Sequence, residues 1–321
     1  MIIRGIGSFL PENIVTNEQI EKTIETSSTW IEQKLGIKER RVAGSGTSSS
    51  DLGAKASIRA IQDAGLTVSD IDLILCVTST PDRLSPSTAC LIQEKIGAFN
   101  SAAFDLNAVC SGFIYGLEVS NSLLKTKKYS NILLVACETY SKITDWSARN
   151  CVFFGDGAGA VILQDAESIF DCIIRADGRG KENFTVRGGG SFLPASHQTV
   201  DDKEHFFKMN GREVYKTGIK VLPESILELL SRNCIDISEI NHLVPHQPSI
   251  NILKETARII NFDFEKVAKT MHIYANTAGA SIPVTLDHLN KNGKLNFDDM
   301  LLFAAVGSGW TWGSAIIQWK K

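Results

Sequence analysis

Short apolar runs alternate with longer segments whose apolar residues recur at helical spacing, and the alternation persists along the chain. Ile2-Ile3-Arg4-Gly5-Ile6-Gly7 reads as an opening strand. The spacing predicts a helix over 51–64, then a polar turn, then the buried strand that contains Leu73-Ile74-Leu75-Cys76-Val77. Much later the same order returns. A helix is predicted over 222–232, and Ile237-Ser238-Glu239-Ile240-Asn241-His242-Leu243-Val244 answers Val68-Ser69-Asp70-Ile71-Asp72-Leu73-Ile74-Leu75. The apolar segment 132–137 corresponds to 300–305, and the Gly-punctuated segment 157–164 corresponds to 312–318. Strands that alternate with helices indicate an α/β fold. Two copies are too few for a solenoid, so the expectation is two similar α/β halves packed face to face, 1–168 and 169–321.

Composition narrows the class without naming a function. At 321 residues the chain can bury a large core. Apolar residues make up 43% and charged residues 21%, the balance of an ordinary globular protein. A net charge of −3 gives no reason to expect a nucleic-acid partner. No apolar run reaches the roughly 18–20 residues of a membrane span. No leader-like basic and apolar segment opens the chain, which leads to the expectation of a cytoplasmic protein. The seven cysteines are odd in number and scattered, with no C-x-x-C pair and no zinc-ligand spacing. They read as reduced thiols, most of them structural, and no metal site is expected.

One cysteine stands apart. In Phe104-Asp105-Leu106-Asn107-Ala108-Val109-Cys110-Ser111-Gly112-Phe113, a strand ends and Cys110 opens an apolar helix. A helix N-terminus favours the thiolate, which is the nucleophilic form. The repeat places His272-Ile273-Tyr274-Ala275-Asn276-Thr277 at the matching place, so Asn276 is expected to open the related helix. His246 ends the strand Leu243-Val244-Pro245. A cleft between the halves would gather Cys110, His246 and Asn276.

Two chemistries use such a set. In a hydrolytic triad, His takes the thiol proton and Asn orients the His. In a condensing site, His and Asn both hold a thioester carbonyl as it becomes an enolate. The rigid setting Pro245-His246-Gln247-Pro248 and the small residues after Asn276 favour the second. Val306-Gly307-Ser308-Gly309 suits an oxyanion hole made of backbone N–H groups. Gly155-Asp156-Gly157-Ala158-Gly159 looks like a nucleotide loop, but a strand follows it where the phosphate fingerprint requires a helix, so it reads as a turn. Among the other histidines, His197 and His205 read as loop residues, His242 as strand and His288 as helix; only His272 remains a minor candidate.

Together these segments resemble β-ketoacyl-acyl-carrier-protein synthase III, an initiating condensing enzyme of the thiolase superfamily. The resemblance also covers Leu10-Pro11-Glu12, Thr16-Asn17, Thr29-Trp30-Ile31, Gly36-Ile37-Lys38-Glu39-Arg40, Phe154-Gly155-Asp156-Gly157 and Gly309-Trp310-Thr311-Trp312-Gly313-Ser314. It implies a thiolase-like α-β-α-β-α arrangement and a homodimer. It implies a decarboxylative condensation of an acyl-CoA with a malonyl thioester, carried in all expectation by acyl carrier protein, with no permanently bound cofactor. Cys110 would be acylated, His246 and Asn276 would hold the malonyl thioester, and the amides of Cys110 and Ser308 would form the oxyanion hole. Trp30, Lys34 and Arg149 would meet coenzyme A, Lys34 standing where the family often has Arg.

Departures from the family pattern bear on specificity. Ser308 replaces a common Gly, a change that leaves the needed N–H in place. Val306 replaces a common Phe. Ser85, in Leu84-Ser85-Pro86, replaces a large residue that in the family reaches the partner subunit's acyl pocket. Asn251 replaces a carrier-docking Arg, leaving Lys216, Lys254 and Arg258 as docking charges, although a solvated helix face explains Lys254 and Arg258 about as well. These changes motivate a rival reading, a specialised-metabolism paralogue with another acyl chain, carrier or acceptor. A third reading, a non-catalytic scaffold on the same fold, would leave the Cys, His and Asn set unexplained.

Overall fold

A computed structural model describes residues 1–321. In chain order its first strands are β1 (Ile2–Phe9), the short pair β2 (Ile14–Thr16) and β3 (Glu39–Arg41), then β4 (Leu73–Val77), β5 (Ala102–Leu106), β6 (Ile132–Glu138) and β7 (Gly157–Gln164). There follow β8 (Phe170–Ala176), the small pair β9 (Phe184–Thr185) and β10 (Lys208–Met209), β11 (His242–Pro245), β12 (Met300–Gly307) and β13 (Thr311–Gln318).

Two sheets dominate. The first runs β1-β7-β6-β4-β5 and the second β11-β12-β13-β8. Written from the other edge, the second repeats the first: β8 answers β1, β13 answers β7, β12 answers β6 and β11 answers β4. The directions match as well, with antiparallel pairs at one end and a parallel pair, β6 with β4 or β12 with β11, at the other. Where the first sheet has β5, the second has only a parallel bridge between Leu243 and Val267. The segment matches read from the sequence are therefore strand matches.

The two sheets sandwich a central helix layer, Gly112–Lys125 and Ser281–Lys291. Each central helix buries apolar positions such as Phe113, Ile114 and Leu117 or Ile282, Val284 and Leu286. Phe113 and Phe303 meet edge-on at 6.4 Å, joining a central helix to the second sheet. Burying a side chain of this size contributes about 1.5–3 kcal/mol. Gly159 allows the close approach, because a Cβ there would lie 2.8 Å from Pro283. Helices Ser49–Asp63 and Thr88–Ile96 cover the outside of the first sheet. Gly211–Arg232 and Ile250–Ile259 cover the second. The five layers are those of a thiolase-like fold.

Three local expectations change. The helix expected over 222–232 begins eleven residues earlier, at Gly211, and carries Pro223 inside it. His197 opens the short helix His197–Asp201 rather than lying in a loop. The turn expected over Gly155–Gly159 is shorter, because Gly157, Ala158 and Gly159 already belong to β7. It feeds β7, and its Asp156 carboxylate accepts Ala43 N at 2.7 Å, Ser141 N at 2.8 Å and Ser141 Oγ at 2.5 Å. No helix is long and apolar enough to cross a membrane. All seven cysteines are free, and Cys76, Cys110, Cys137, Cys151 and Cys172 are buried.

Candidate active site

Cys110 sits in a single 3₁₀ turn, Val109–Ser111, that leads into the central helix Gly112–Lys125. Val109 adopts φ +50°, which aims the turn at the second sheet. Ser111 Oγ, Thr311 Oγ1 and the Ala108 carbonyl form a hydrogen-bonded triangle with sides of 2.8, 2.9 and 3.0 Å. The nucleophile turn is thereby tied to the start of β13. Gly112 has no room for a side chain, since a Cβ would come within 2.4 Å of Val77.

The structure brings Cys110, His246 and Asn276 to one cavity of about 350 Å³. They are 8%, 2% and 5% exposed. His246 follows Pro245 at the end of β11, and its N–H donates to Ala304 O at 2.8 Å. Its imidazole lies against the Ala278 backbone, its Nδ1 has no hydrogen-bond partner, and burial pushes its pKa down to about 3. The ring is therefore neutral near pH 7 and able to share a hydrogen bond with an incoming group.

Gln247, quoted in the sequence motif without a role, braces this corner. Its Nε2 donates to Pro245 O and Ala268 O at 2.9 and 3.1 Å. Its Oε1 accepts Thr270 N and Met271 N at 3.0 and 3.2 Å. All the hydrogen bonds an amide side chain needs are made inside the protein, so the loop that carries His246 is rigid.

Asn276 is fixed by its backbone and by its side chain. Its N–H and C=O pair with Phe153 O and Gly155 N across the Phe154–Asn276 bridge. Its Oδ1 accepts Ala278 N at 2.8 Å, leaving the Nδ2 hydrogens to donate elsewhere. The expected register with Cys110 is corrected here. The 3₁₀ turn Ala278–Ala280 and the central helix Ser281–Lys291 follow Asn276, so Gly279, and not Asn276, is the counterpart of Cys110.

The thiol also differs from expectation. Burial pushes the Cys110 pKa well up, and the nearby Glu138 carboxylate adds to the rise. The helix end supplies favourable dipoles, but desolvation outweighs them in this closed site. Glu138 is the site residue that the motif reading missed. It ends β6 with no exposure, accepts from Ser79 N and Oγ and from Thr80 Oγ1, and borders Gly279. Burial raises its pKa to about 7. The available signal was a carboxylate ending an apolar strand, Ile132 to Cys137.

Gly307 packs beside the nucleophile. A Cβ there would lie 2.8 Å from Ala108 O and 3.0 Å from Cys110 N. Only glycine lets the Gly307–Ser308 backbone approach this amide. Ser308 lines the cavity, and its hydroxyl donates to Phe184 O at 2.5 Å. Val306 also lines the cavity.

The remaining candidates separate. Trp30 and Lys34 line the cavity, and the Arg149 guanidinium stacks 4.5 Å from the Trp30 ring centre. Asn251 lines it too and donates to Lys34 O at 3.1 Å, joining helix Ser28–Leu35 to helix Ile250–Ile259. Ser85 is exposed and lines no part of the cavity. Lys216 pairs with Glu213 and Arg258 with Glu255, leaving Lys254 as the exposed cation without a carboxylate within reach. His272 is exposed and lies outside the cavity.

The residues that build this site fall in segments shared with known proteins. The chain matches the family described as 3-Oxoacyl-[acyl-carrier-protein (ACP)] synthase III over residues 104–178, and its C-terminal segment over 230–319. It is 42% identical to the Beta-ketoacyl-[acyl-carrier-protein] synthase III of Caldanaerobacter subterraneus subsp. tengcongensis, over 99% of this chain and 98% of that one. The chain belongs to the β-ketoacyl-acyl-carrier-protein synthase III family.

Solved structures agree with this assignment. The 3-oxoacyl-[acyl-carrier-protein] synthase III of Aquifex aeolicus VF5 superposes with a TM-score of 0.91 at 35% identity, covering 99% of each chain. A priming beta-ketosynthase of the R1128 polyketide pathway has the same TM-score at 26% identity, over 100% of this chain and 96% of that one. This synthase III is a condensing acyltransferase that initiates fatty acid synthesis, the reading favoured over a specialised-metabolism paralogue.

Proposed function

We propose that this enzyme condenses an acyl-CoA with malonyl-acyl carrier protein through an acyl group on Cys110. Cys110 Sγ forms a bond to the acyl carbonyl carbon as the carbon–sulfur bond to CoA breaks. The thiol proton leaves with the CoA sulfur, so thiol exchanges for thiol. The raised Cys110 pKa supports this order, with the proton lost only as the substrate arrives. The amides of Cys110 and Ser308 hold the oxyanion.

The malonyl thioester then enters. Its carboxylate leaves as carbon dioxide, and the electron pair passes into the thioester enolate. Asn276 Nδ2 and the neutral His246 ring hold the enolate oxygen. The enolate carbon bonds to the acyl carbon, the bond to Cys110 Sγ breaks, and the thiolate takes up one proton. Residues 1–168 supply the nucleophile, and 169–321 supply the imidazole and carboxamide. The observation that carries this reading is one cavity shared by a thiol, a neutral imidazole and an amide donor. Acyl-CoA is a substrate, and no resident cofactor takes part.

Trp30, Lys34 and Arg149 form the mouth for coenzyme A, with Arg149 moving from the Trp30 face when the adenine stacks there. Lys254, Lys216 and Arg258 supply the docking charge for the carrier. Ser85 acts in the partner's pocket of a homodimer, while Val306 widens the chain's own cavity. Incubation with acetyl-CoA tests the proposal. Intact-mass measurement should show one acyl adduct on the wild type and none on Cys110→Ala. No adduct from any acyl-CoA would overturn it.

A further inference from the structure

The reaction described above gives Glu138 no task. Its carboxylate is fully buried at the end of β6, and its hydrogen-bond partners all donate. Ser79 N lies 3.2 Å from its oxygens, Ser79 Oγ 3.0 Å and Thr80 Oγ1 2.7 Å. Thr139 N donates to Thr80 Oγ1 at 2.9 Å, so the threonine keeps its own hydrogen for Glu138. The Gly279 N–H faces the carboxylate as well. None of these donors is charged. Burying a charge without a counter-ion is costly, so a pocket of neutral donors built around a carboxylate marks a place that needs the charge.

The carboxylate stands between the two turns of the site. A Cβ on Gly279 would lie 3.2 Å from Glu138 Oε1 and equally 3.2 Å from Val109 O, the carbonyl just before Cys110. Ser79 Oγ also lies 3.1 Å from Tyr140 Oη, and the Tyr140 ring shares one buried cluster with Cys110. The titratable groups that feel the carboxylate are Cys76 of β4, Cys137 of β6, Cys110 and Tyr140, and each stays protonated near pH 7. The other two carboxylates on this side are engaged elsewhere: Asp105 of β5 accepts Thr88 N and Ala89 N, and Asp82 accepts Ser50 N and Oγ.

We propose that Glu138 is a positioning residue whose buried negative charge, set beside the facing turns of Cys110 and Gly279, keeps the resting sulfur a thiol, so that Cys110 yields its proton only to the departing coenzyme A. The inference rests on Cys110 as the acylated residue. A negative charge nearby opposes a second one on sulfur. The proton therefore stays on Sγ until the new carbon–sulfur bond forms, and it leaves with the CoA sulfur. A thiol held in this way also resists stray electrophiles between turnovers.

Alkylation of Cys110 by iodoacetamide, located by peptide mass and followed from pH 5.5 to 9, tests this. Only the ionised carboxylate opposes the thiolate, and Glu138 ionises near pH 7. The logarithm of the wild-type rate should rise with pH, flatten near 7 and rise again. Glu138→Gln should match wild type at pH 5.5 and exceed it by about tenfold above pH 8, the change in thiolate fraction for one pKa unit. A variant that merely loosened the site would react faster by the same factor at every pH. Ser79→Ala, which removes one donor and weakens the anion, should move the flat region to higher pH. A straight wild-type profile through pH 7 would overturn the proposal, as would a Glu138→Gln to wild-type ratio that does not change with pH. Failure of every acyl-CoA to label wild type would instead strike the Cys110 assignment, and this inference with it.

Discussion

Asn107 and Asn276 occupy equivalent positions at the starts of the two central helices. Each carboxamide oxygen accepts the N–H two residues ahead, Val109 at 3.1 Å and Ala278 at 2.8 Å. Each of those residues has positive φ, +50° and +46°, and each begins a 3₁₀ turn that leads into a central helix. The duplicated turn puts a thiol on one side, at Cys110, and Gly279 at the equivalent place on the other. The same asparagine motif thus frees one amide donor beside the thiol.

Asn276→Asp keeps the acceptor for Ala278 N–H and loses the Nδ2 donor. Malonyl-thioester decarboxylation should fall about 10²–10³-fold, the usual loss for one donor to a developing oxyanion. Acylation of Cys110 should persist. Parallel measurement of carbon dioxide release and of the acyl adduct checks this, and equal losses in both would count against it.

Gly307→Ala forces a methyl group against Ala108 O, Thr311 Oγ1 and Cys110 N, all within 3.0 Å. Overpacking of this kind costs about 1–3 kcal/mol. Here it also displaces the proposed oxyanion donor, so acylation should slow by at least about 100-fold. Thermal melting and acylation kinetics measure the two effects separately.

His246 stays neutral until the pH approaches 3. The enzyme should therefore show no acid limb from this residue between pH 5 and 7, read from kcat/KM. Stability carries the complementary sign. The folded pKa lies below the unfolded one near 6.5, so the unfolded chain binds the proton more readily, and stability is lost as pH falls from about 6.5 toward 3. His246→Gln should lack that acid-side loss in denaturant titrations.

Edge strand β5 ends the first sheet with Phe104 41% exposed, and Leu84 and Phe99 are 87% and 74% exposed. An open edge bearing apolar side chains is a pairing surface. In the proposed homodimer it pairs with its copy, as Phe104→Lys with Leu84→Glu would reveal. Light scattering should give a dimer for wild type and a monomer for the double variant; a monomeric wild type would remove the proposal.

Much of this architecture was legible in the chain. The strands beginning at Leu73 and His242, and those at Ile132 and Met300, announce themselves because buried parallel strands are near-continuous apolar runs. Cys110, His246 and Asn276 were visible because strand ends and small residues mark where backbone turns toward a cleft. Their register was not. Shifting Asn276 by three residues leaves the apolar pattern unchanged, and only the hydrogen bond to Ala278 and the positive φ that follows fix it.

Sequence by itself determined the layered fold, the family and the three residue types at the site, since each depends on local pattern or on motifs in order. Tertiary structure alone decided the raised Cys110 pKa, the buried Glu138 near it, the Gln247 brace and the Ser308–Phe184 tether. These depend on desolvation and on contacts between segments far apart in the chain, and neither quantity is encoded in the neighbours of a single residue.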